Sequence, residues 1–398
     1  MEGDFITINK WLMPLSRLYG LGVRLRNFLF DAGFRKSRAF RTPIISVGNL
    51  TVGGTGKTPH VEYLVRLLKD QYRVAVLSRG YKRKSFGFVM ADEQTPQRAI
   101  GDEPYQMKQK FPDITVAVDK KRAHGIAKLT NNDSDESPID VILLDDAFQH
   151  RQVKPGINML LVDYHRLIVY DKLLPAGRLR EPLEGKDRAD IVIITKCPKD
   201  LKPVEYRVIT KAMNLYPFQS LYFSTLDYDS LQRVFTMMTI PESLKGLHTI
   251  DNLQAFHVLL ITGIASPRQL KEDLATHAKS IQQMAFSDHH EFNSVDICRI
   301  NRTFEEMAAP KCIITTEKDA TRLTTAIELS EEVRSHLYAL PIRISFMLDQ
   351  EETFNQSIID YVRKHSRNSI LDPVKDDLKP QDGHHPGDRT RPISFRNH

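Results

Sequence analysis

The segment VGGTGKTP (52–59) carries residue types that suit a nucleotide phosphate. Gly53, Gly54 and Gly56 let backbone N–H groups approach phosphate oxygens, and a following helix would add the positive end of its dipole. Lys57 can bridge β- and γ-phosphates, while Thr58 offers a hydroxyl to Mg²⁺. The binding stretch is read as Thr51 to Thr58, including Val52 and Thr55. It departs from the general phosphate-loop pattern at Thr51, where glycine is usual, and so belongs to a variant class.

The run VILLDDAFQH (141–150) ends four apolar residues with Asp145 and Asp146. An acid closing a buried strand beside a phosphate loop can hold Mg²⁺ directly or through water, and Asp145 is the first choice. A helix cap with a solvated neighbour is the plainer alternative. Transfer of a phosphoryl group to an alcohol also needs a group that takes the hydroxyl proton. GDEP (101–104) and FSDHHEF (286–292) offer such groups: Asp102 as candidate base, His289 to polarise or orient it, and Glu103 to reach the metal. Asp-Glu-Pro equally suits the first turn of a helix, and both readings stay open. Arg79, Lys82, Arg83, Arg122, Arg178 and Arg180 lie near the ends of apolar runs and could converge on a second anionic molecule.

The acceptor distinguishes the function classes. Thr195-Lys196-Cys197-Pro198 is only half of a guanine-reading signature and lacks its Asp, which disfavours a GTPase. A membrane-positioned partition-type ATPase switch is the main rival, but such loops carry a signature Lys where this chain has Val52. A basic nucleic-acid-binding ATPase would spread its positive charge over a domain. Here eight basic residues between Lys10 and Arg41 face one acid, Asp31, and account for the whole formal excess of +6. No nucleic-acid partner is expected.

These residues need a scaffold, and 398 residues with 41% hydrophobic and 27% charged content suit a globular chain of two or three domains. Cys197, Cys298 and Cys312 lie far apart, so neither a disulfide framework nor a zinc site is expected, and a reducing compartment fits. The sequence shows no secretory leader pattern and no spanning apolar run, so the chain is expected to stay in the cytoplasm. Residues 1–42 read as a basic amphipathic helix, with Trp11, Leu12, Leu15, Leu18, Tyr19, Gly22 and Leu29 recurring at three- and four-residue steps. Either a membrane surface or the protein's own core could cover that apolar face.

Residues 43–225 alternate short apolar runs (PIISVG, RVAVLS, ITVAV, VILLD, NMLLVD, IVIIT) with helical stretches. The expected fold is α/β: a phosphate-loop, mainly parallel sheet with flanking helices. Residues 226–255 break the rhythm as a short linker. A second, smaller α/β unit over 256–366 contains HVLLIT, SIQQMAF, KCIITT and LYALPIRISF and finishes with a helix near 352–364. Residues 367–398 offer little to bury and read as a disordered tail.

Taken together, SVGNLTVGGTGKTPHVEYL (46–64), LSRGYKR (77–83), GDEP, LLDDAFQHR (143–151), LLPAGRLREP (173–182), FSDHHEF and TTEKDATRL (315–323) closely resemble the tetraacyldisaccharide 4'-kinase family. The likeness runs in order from about Trp11 to Leu323. It implies two α/β/α units joined by a small β linker, which close on each other during catalysis. It also implies MgATP as phosphate donor and the 4'-hydroxyl of an acylated glucosamine disaccharide 1-phosphate as acceptor. The expected setting is the cytoplasmic face of the bacterial inner membrane, where the chain would sit peripherally as a monomer. Arg17, Arg24 and Arg26 would then face lipid phosphates. The resemblance assigns Lys57 and Thr58 to ATP and Mg²⁺, Asp145 and Asp146 to the metal-site acids, and Asp102 with His289 to acceptor activation. Tyr81, Arg122, Gln149, His150 and Arg178 would line the disaccharide or phosphate region.

Overall fold

A computed structural model describes residues 6, 8–130, 138–264, 268–287, 290, 292–324 and 328–371. The strands are β1 (Ile44–Gly48), β2 (Val74–Ser78), β3 (Val89–Ala91), β4 (Thr115–Val118), β5 (Val141–Asp145), β6 (Ile157–Asp163), β7 (Ile191–Thr195), β8 (Ser220–Tyr228), β9 (Gln232–Arg233), β10 (His257–Thr262), β11 (Ser280–Ala285), β12 (Lys311–Thr316), β13 (Leu337–Leu340) and β14 (Ile342–Phe346). The helices are α1 (Met13–Asp31), α2 (Lys57–Leu68), α3 (Gln97–Ile100), α4 (Asp102–Lys110), α5 (Arg122–Thr130), α6 (Pro203–Met213), α7 (Arg268–Ala275), α8 (Ser294–Glu305), α9 (Glu317–Leu323), α10 (Glu331–His336) and α11 (Glu351–Leu371).

All six apolar runs expected in the first unit are strands. They form the middle of a nine-stranded sheet ordered β14-β8-β7-β6-β1-β5-β2-β4-β3. β1, β2, β5 and β7 are buried along their whole length, because helices cover both faces of a parallel sheet. β1 pairs in parallel with β5 on one side and β6 on the other, so the chain reverses its direction of travel around β1. Such a switch point opens a crevice at the carboxyl ends of the strands, where the glycine loop begins.

The second sheet is five-stranded, β11-β10-β12-β13-β9, with β10 to β13 parallel. Here the structure corrects the expectation for LYALPIRISF. The run divides at Pro341, which has no N–H for a ladder: β13 belongs to the small sheet, and β14 returns to pair antiparallel with β8 in the large one. The chain therefore crosses between the sheets twice. The final helix follows β14 home, and Phe354, Ile358 and Val362 pack with Ile45, Val47 and Val61 in the core of the large sheet. Its placement at the end of the second unit is thus corrected. α11 continues to Leu371, so the first residues of the expected tail are helical, and residues 372–398 lie outside the described residues.

α1 is a helix, as expected, and its inward face combines small and polar residues with two apolar ones. Ser16, Gly20, Val23 and Phe30 are buried. Ser16 Oγ donates to the Leu173 carbonyl and accepts from the Ala176 N–H, each at 2.9 Å. At Gly20 a Cβ would stand 2.7 Å from Leu173 Cδ1, so glycine permits the close approach. Trp11, Leu15, Leu18, Leu21, Leu25 and Phe28 are left exposed. All three cysteines are free.

Because α11 completes the core of the large sheet, Phe354→Ala should lower stability by about 3–5 kcal/mol in equilibrium urea unfolding. A loss under about 1 kcal/mol would contradict that packing.

Candidate active site

The glycine loop opens where β1 ends. Gly53 (φ +124°) and Gly56 (φ +80°) occupy backbone regions that side chains rarely adopt, and Gly56 leads directly into Lys57 at the start of α2. The loop entrance is held by the LLPAGRLREP segment, since Val52 N–H donates to the Arg178 carbonyl (2.8 Å) and Arg180 N–H to the Leu50 carbonyl (2.7 Å). The nearest Arg178 guanidinium nitrogen stands 4.0 Å from where a Gly53 Cβ would lie.

Behind the loop, Thr195 Oγ1 donates to the Thr55 carbonyl (3.0 Å), and Lys196 Nζ donates to the Gly54 carbonyl (2.5 Å) while pairing with Asp163 (2.7 Å). Sequence reasoning treated Thr195-Lys196 only as an incomplete guanine signature. In the fold the pair braces the loop from the end of β7. The available signal was its position at a strand end on the same sheet edge.

His60 supports α2 from inside. Its Nδ1 lies 2.7 Å from the Gly56 carbonyl and its Nε2 lies 3.1 Å from the Ser224 hydroxyl, and burial pulls its pKa down to about 4. The ring is neutral at pH 7.

The acid pair meets the loop where β5 ends. Lys57 Nζ is 3.5 Å from Asp146, which also faces Arg180 at 3.8 Å. Asp146 has φ +48°, a left-handed turn that aims the two carboxylates differently. Asp145 is buried; Oδ2 accepts from Ser78 at 3.4 Å, and Oδ1 has no hydrogen-bond partner among the described residues. Burial raises its pKa to about 6, with Asp146 and Glu103 adding repulsion against Lys57 and Arg122. An unpartnered buried carboxylate oxygen with two acids nearby fits a divalent cation. Among the described residues no three His, Cys, Asp or Glu side chains converge to hold a metal by themselves.

Arg122, at the start of α5, is turned inward. Its terminal nitrogens donate to the Asp119 carbonyl (2.7 Å) and the Asp145 carbonyl (2.8 Å), so it stands behind the acid pair rather than in the open crevice. Gln149 and His150 follow the acids. The Gln149 carbonyl accepts from Arg26 (2.7 Å), which also pairs with Glu181 at 3.5 Å. Arg26 is thereby held by the protein at its guanidinium while its side chain stays partly exposed. His150 is pulled down to about 4 by burial and by the positive charge of Arg122, Arg79 and Arg26.

Asp102 and Glu103 do begin a helix, as the plainer reading allowed, yet their carboxylates are engaged across the molecule. Asp102 Oδ1 accepts from Gln97 (3.0 Å) and Oδ2 from Arg322 (2.5 Å), and Glu103 lies 3.5 Å from Lys318. A Cβ on Gly101 would come within 2.8 Å of the Tyr81 carbonyl, so glycine lets the exposed Tyr81 loop press against GDEP. His289 lies outside the described residues. Its neighbour His290 is structural, pairing with Asp296 at 2.7 Å and stacking on Phe286. The structure thus gathers Lys57, Asp145, Asp146, Arg180 and Glu103 at one sheet edge, with Asp102 and Tyr81 on its rim.

Fold and site together define a phosphate-loop α/β protein built to hold a nucleotide triphosphate beside a carboxylate pair. Residues 8–363 match the family model described as tetraacyldisaccharide-1-P 4'-kinase. The chain is 57% identical over 371 residues to the tetraacyldisaccharide 4'-kinase of Phocaeicola vulgatus, covering 93% of this chain and 99% of that one. It is 54% identical over 372 residues to the enzyme of the same name from Bacteroides thetaiotaomicron, with 93% and 97% coverage. Among solved structures it is similar to LpxK from Aquifex aeolicus in complex with ATP, with TM-score 0.64, 30% identity and coverage of 88% and 98%. The chain belongs to the tetraacyldisaccharide-1-phosphate 4'-kinase family.

Because the His60 pKa is depressed in the fold, the unfolded chain binds more protons than the native one between pH 6.5 and about 4. The stability advantage of wild type over His60→Gln should therefore shrink as pH falls through that window. A pH-independent difference in urea unfolding would overturn the assignment of a neutral buried ring.

Proposed function

We propose that this chain transfers the γ-phosphate of ATP to the 4'-hydroxyl of tetraacyldisaccharide 1-phosphate. The observation that carries the reading is the acid pair at the mouth of the glycine loop, Asp145 buried and Asp146 exposed beside Lys57, in a chain of this family. The acceptor oxygen attacks the γ-phosphorus, the bond to the β–γ bridging oxygen breaks, and ADP leaves. Asp102 takes the hydroxyl proton, with His289 orienting it. Lys57 and the loop N–H groups, Thr51 through Thr58, hold the β- and γ-phosphates, and Asp146 keeps the Lys57 ammonium in place. Asp145, Thr58 and Glu103 would hold Mg²⁺, which supplies charge neutralisation on the phosphate oxygens when bound.

Arg178 and Tyr81, with Gln149 and His150 beyond the acids, would meet the disaccharide and its phosphate. Arg122 contributes by fixing the Asp145 carbonyl.

The lipid acceptor requires an enzyme that works at a membrane surface. No described helix is long and apolar enough to cross a membrane. The exposed face of α1, including Leu15, Leu18 and Leu25, with Trp11 in the turn just before it and Arg17 and Arg24 alongside, supports peripheral docking on the cytoplasmic side of the inner membrane. A W11E/L15E/L18E variant should bind anionic vesicles at least about tenfold more weakly with an unchanged melting temperature, and unchanged vesicle binding would remove α1 from that role.

The direct test follows phosphate from MgATP into detergent-dispersed tetraacyldisaccharide 1-phosphate by the mass of the lipid. Wild type should transfer one phosphoryl group and Lys57→Ala should not. ATP hydrolysis without lipid phosphorylation would favour a nucleotide-driven positioning ATPase. Asp102→Ala and His289→Ala should each lower turnover by about 10² or more with little change in ATP binding. Wild-type turnover in either would exclude that residue.

A further inference from the structure

The TTEKDATRL segment contributes no group to the chemistry above, yet its charged residues are all engaged. α9 lies against α4 of the other unit in an antiparallel arrangement of charges. Glu317, at the start of α9, pairs with Lys110 at the end of α4 (2.7 Å). Lys318 pairs with Glu103 (3.5 Å), and Arg322, at the end of α9, pairs with Asp102 at the start of α4 (2.5 Å). Lys110 also holds the buried Glu62 of α2, the helix that begins at the phosphate loop (2.7 Å). One short helix of the second unit is thereby tied to the candidate base, to a candidate metal acid and, through Lys110, to the loop helix.

Arg322 is not a mobile surface cation. Its side chain is 8% exposed, and a second nitrogen donates to Asp319, which has no exposed surface, at 3.3 Å. Asp319 in turn accepts from the Gly263 N–H (2.8 Å) and the Thr316 hydroxyl (2.8 Å), fixing it to the carboxyl ends of β10 and β12. A Cβ on Gly263 would lie 2.9 Å from Asp319 and 3.4 Å from the Ser287 carbonyl, so the segment entering FSDHHEF packs on the same point. Guanidinium geometry suits this task, because its planar fork fixes two acceptors at once, whereas an ammonium acts as a point charge.

We propose that Arg322 is a positioning residue for phosphoryl transfer: through the Asp319–Arg322–Asp102 chain of contacts, the second unit fixes the orientation of the Asp102 carboxylate at the acceptor hydroxyl. A carboxylate has about four lone-pair sites, so Asp102 can hold Gln97 and Arg322 and still present an oxygen to a proton. Displacing a reacting group by about 1 Å can lower turnover by about 10², which sets the scale of the effect. The inference rests on the kinase reading above and on Asp102 as the base.

The test is a double-mutant cycle in the full-length protein, with Arg322→Met and Asp102→Asn measured by single-turnover transfer from MgATP to tetraacyldisaccharide 1-phosphate. In the wild-type background, Arg322→Met should lower the transfer rate by at least about tenfold with ATP affinity changed by less than about threefold, and Arg322→Lys should recover part of the loss. In the Asp102→Asn background the same substitution should change the rate by less than about twofold, because the group it positions is gone. An equal loss in both backgrounds, or a loss matched by weakened ATP binding, would assign Arg322 a merely structural role and overturn the proposal. Lys110→Met guards against misreading: it breaks the far end of the same helix pair and should leave the rate closer to wild type than Arg322→Met does, whereas an equal loss would point to general loosening. Absence of transfer by wild type would instead fail the kinase reading, while normal transfer with an unimpaired Arg322→Met would fail this inference alone.

Discussion

The Asp145 carboxylate sits at the end of a fully buried strand, with one oxygen unpartnered among the described residues, and burial, helped by two other acids nearby, raises its pKa to about 6. Such a group is costly to bury and stays only where the surroundings make up the charge. Much of the local architecture answers that demand. Lys57 lies beside the neighbouring acid, Arg122 grips the backbone behind it, and Arg180 reaches across from the segment that also holds the loop entrance. A cation held there would complete the balance, and the glycine loop next to it is shaped for a ligand carrying the opposite charge. The acid, the lysine and the loop are three parts of one electrostatic arrangement.

The second constraint is the double crossing between the sheets. Because β8 leads out to β9 and β13 leads back to β14, the small unit is tethered by two adjacent strands on one edge of the large sheet. Away from that edge, the contact of α4 with α9 is made by ion pairs. α11, which follows the return strand, shows how far the large sheet depends on chain that comes after the small unit: its core is finished by residues near the end of the described chain.

Most of the large sheet could be read from sequence because a parallel strand covered on both faces is apolar throughout, and runs such as VILLD and IVIIT have little other use. The phosphate loop and acid pair could be read because their chemistry needs particular residue types at fixed spacing. Tertiary pairing could not. Nothing in LYALPIRISF except Pro341 marks the change of sheet, and the apolar face of α11 fits either unit equally well. The inward face of α1 was missed because Ser16 and Gly20 pack by closeness and hydrogen bonding rather than by hydrophobic spacing. Arg26 and Arg122 look like solvent-facing cations in a linear sequence, and only the fold shows that carbonyls and a buried Glu181 claim them.

Under the proposed function, Asp145 would complete a nucleotide-phosphate site that depends on a divalent cation. Calorimetric titration with a non-hydrolysable ATP analogue, with and without Mg²⁺, tests it directly on wild type and Asp145→Asn. Mg²⁺ should tighten binding to wild type by at least about tenfold, and Asp145→Asn should lose most of this gain while still binding the metal-free analogue. An undiminished Mg²⁺ effect in Asp145→Asn would mean that the buried Asp145 oxygen has no part in holding the cation.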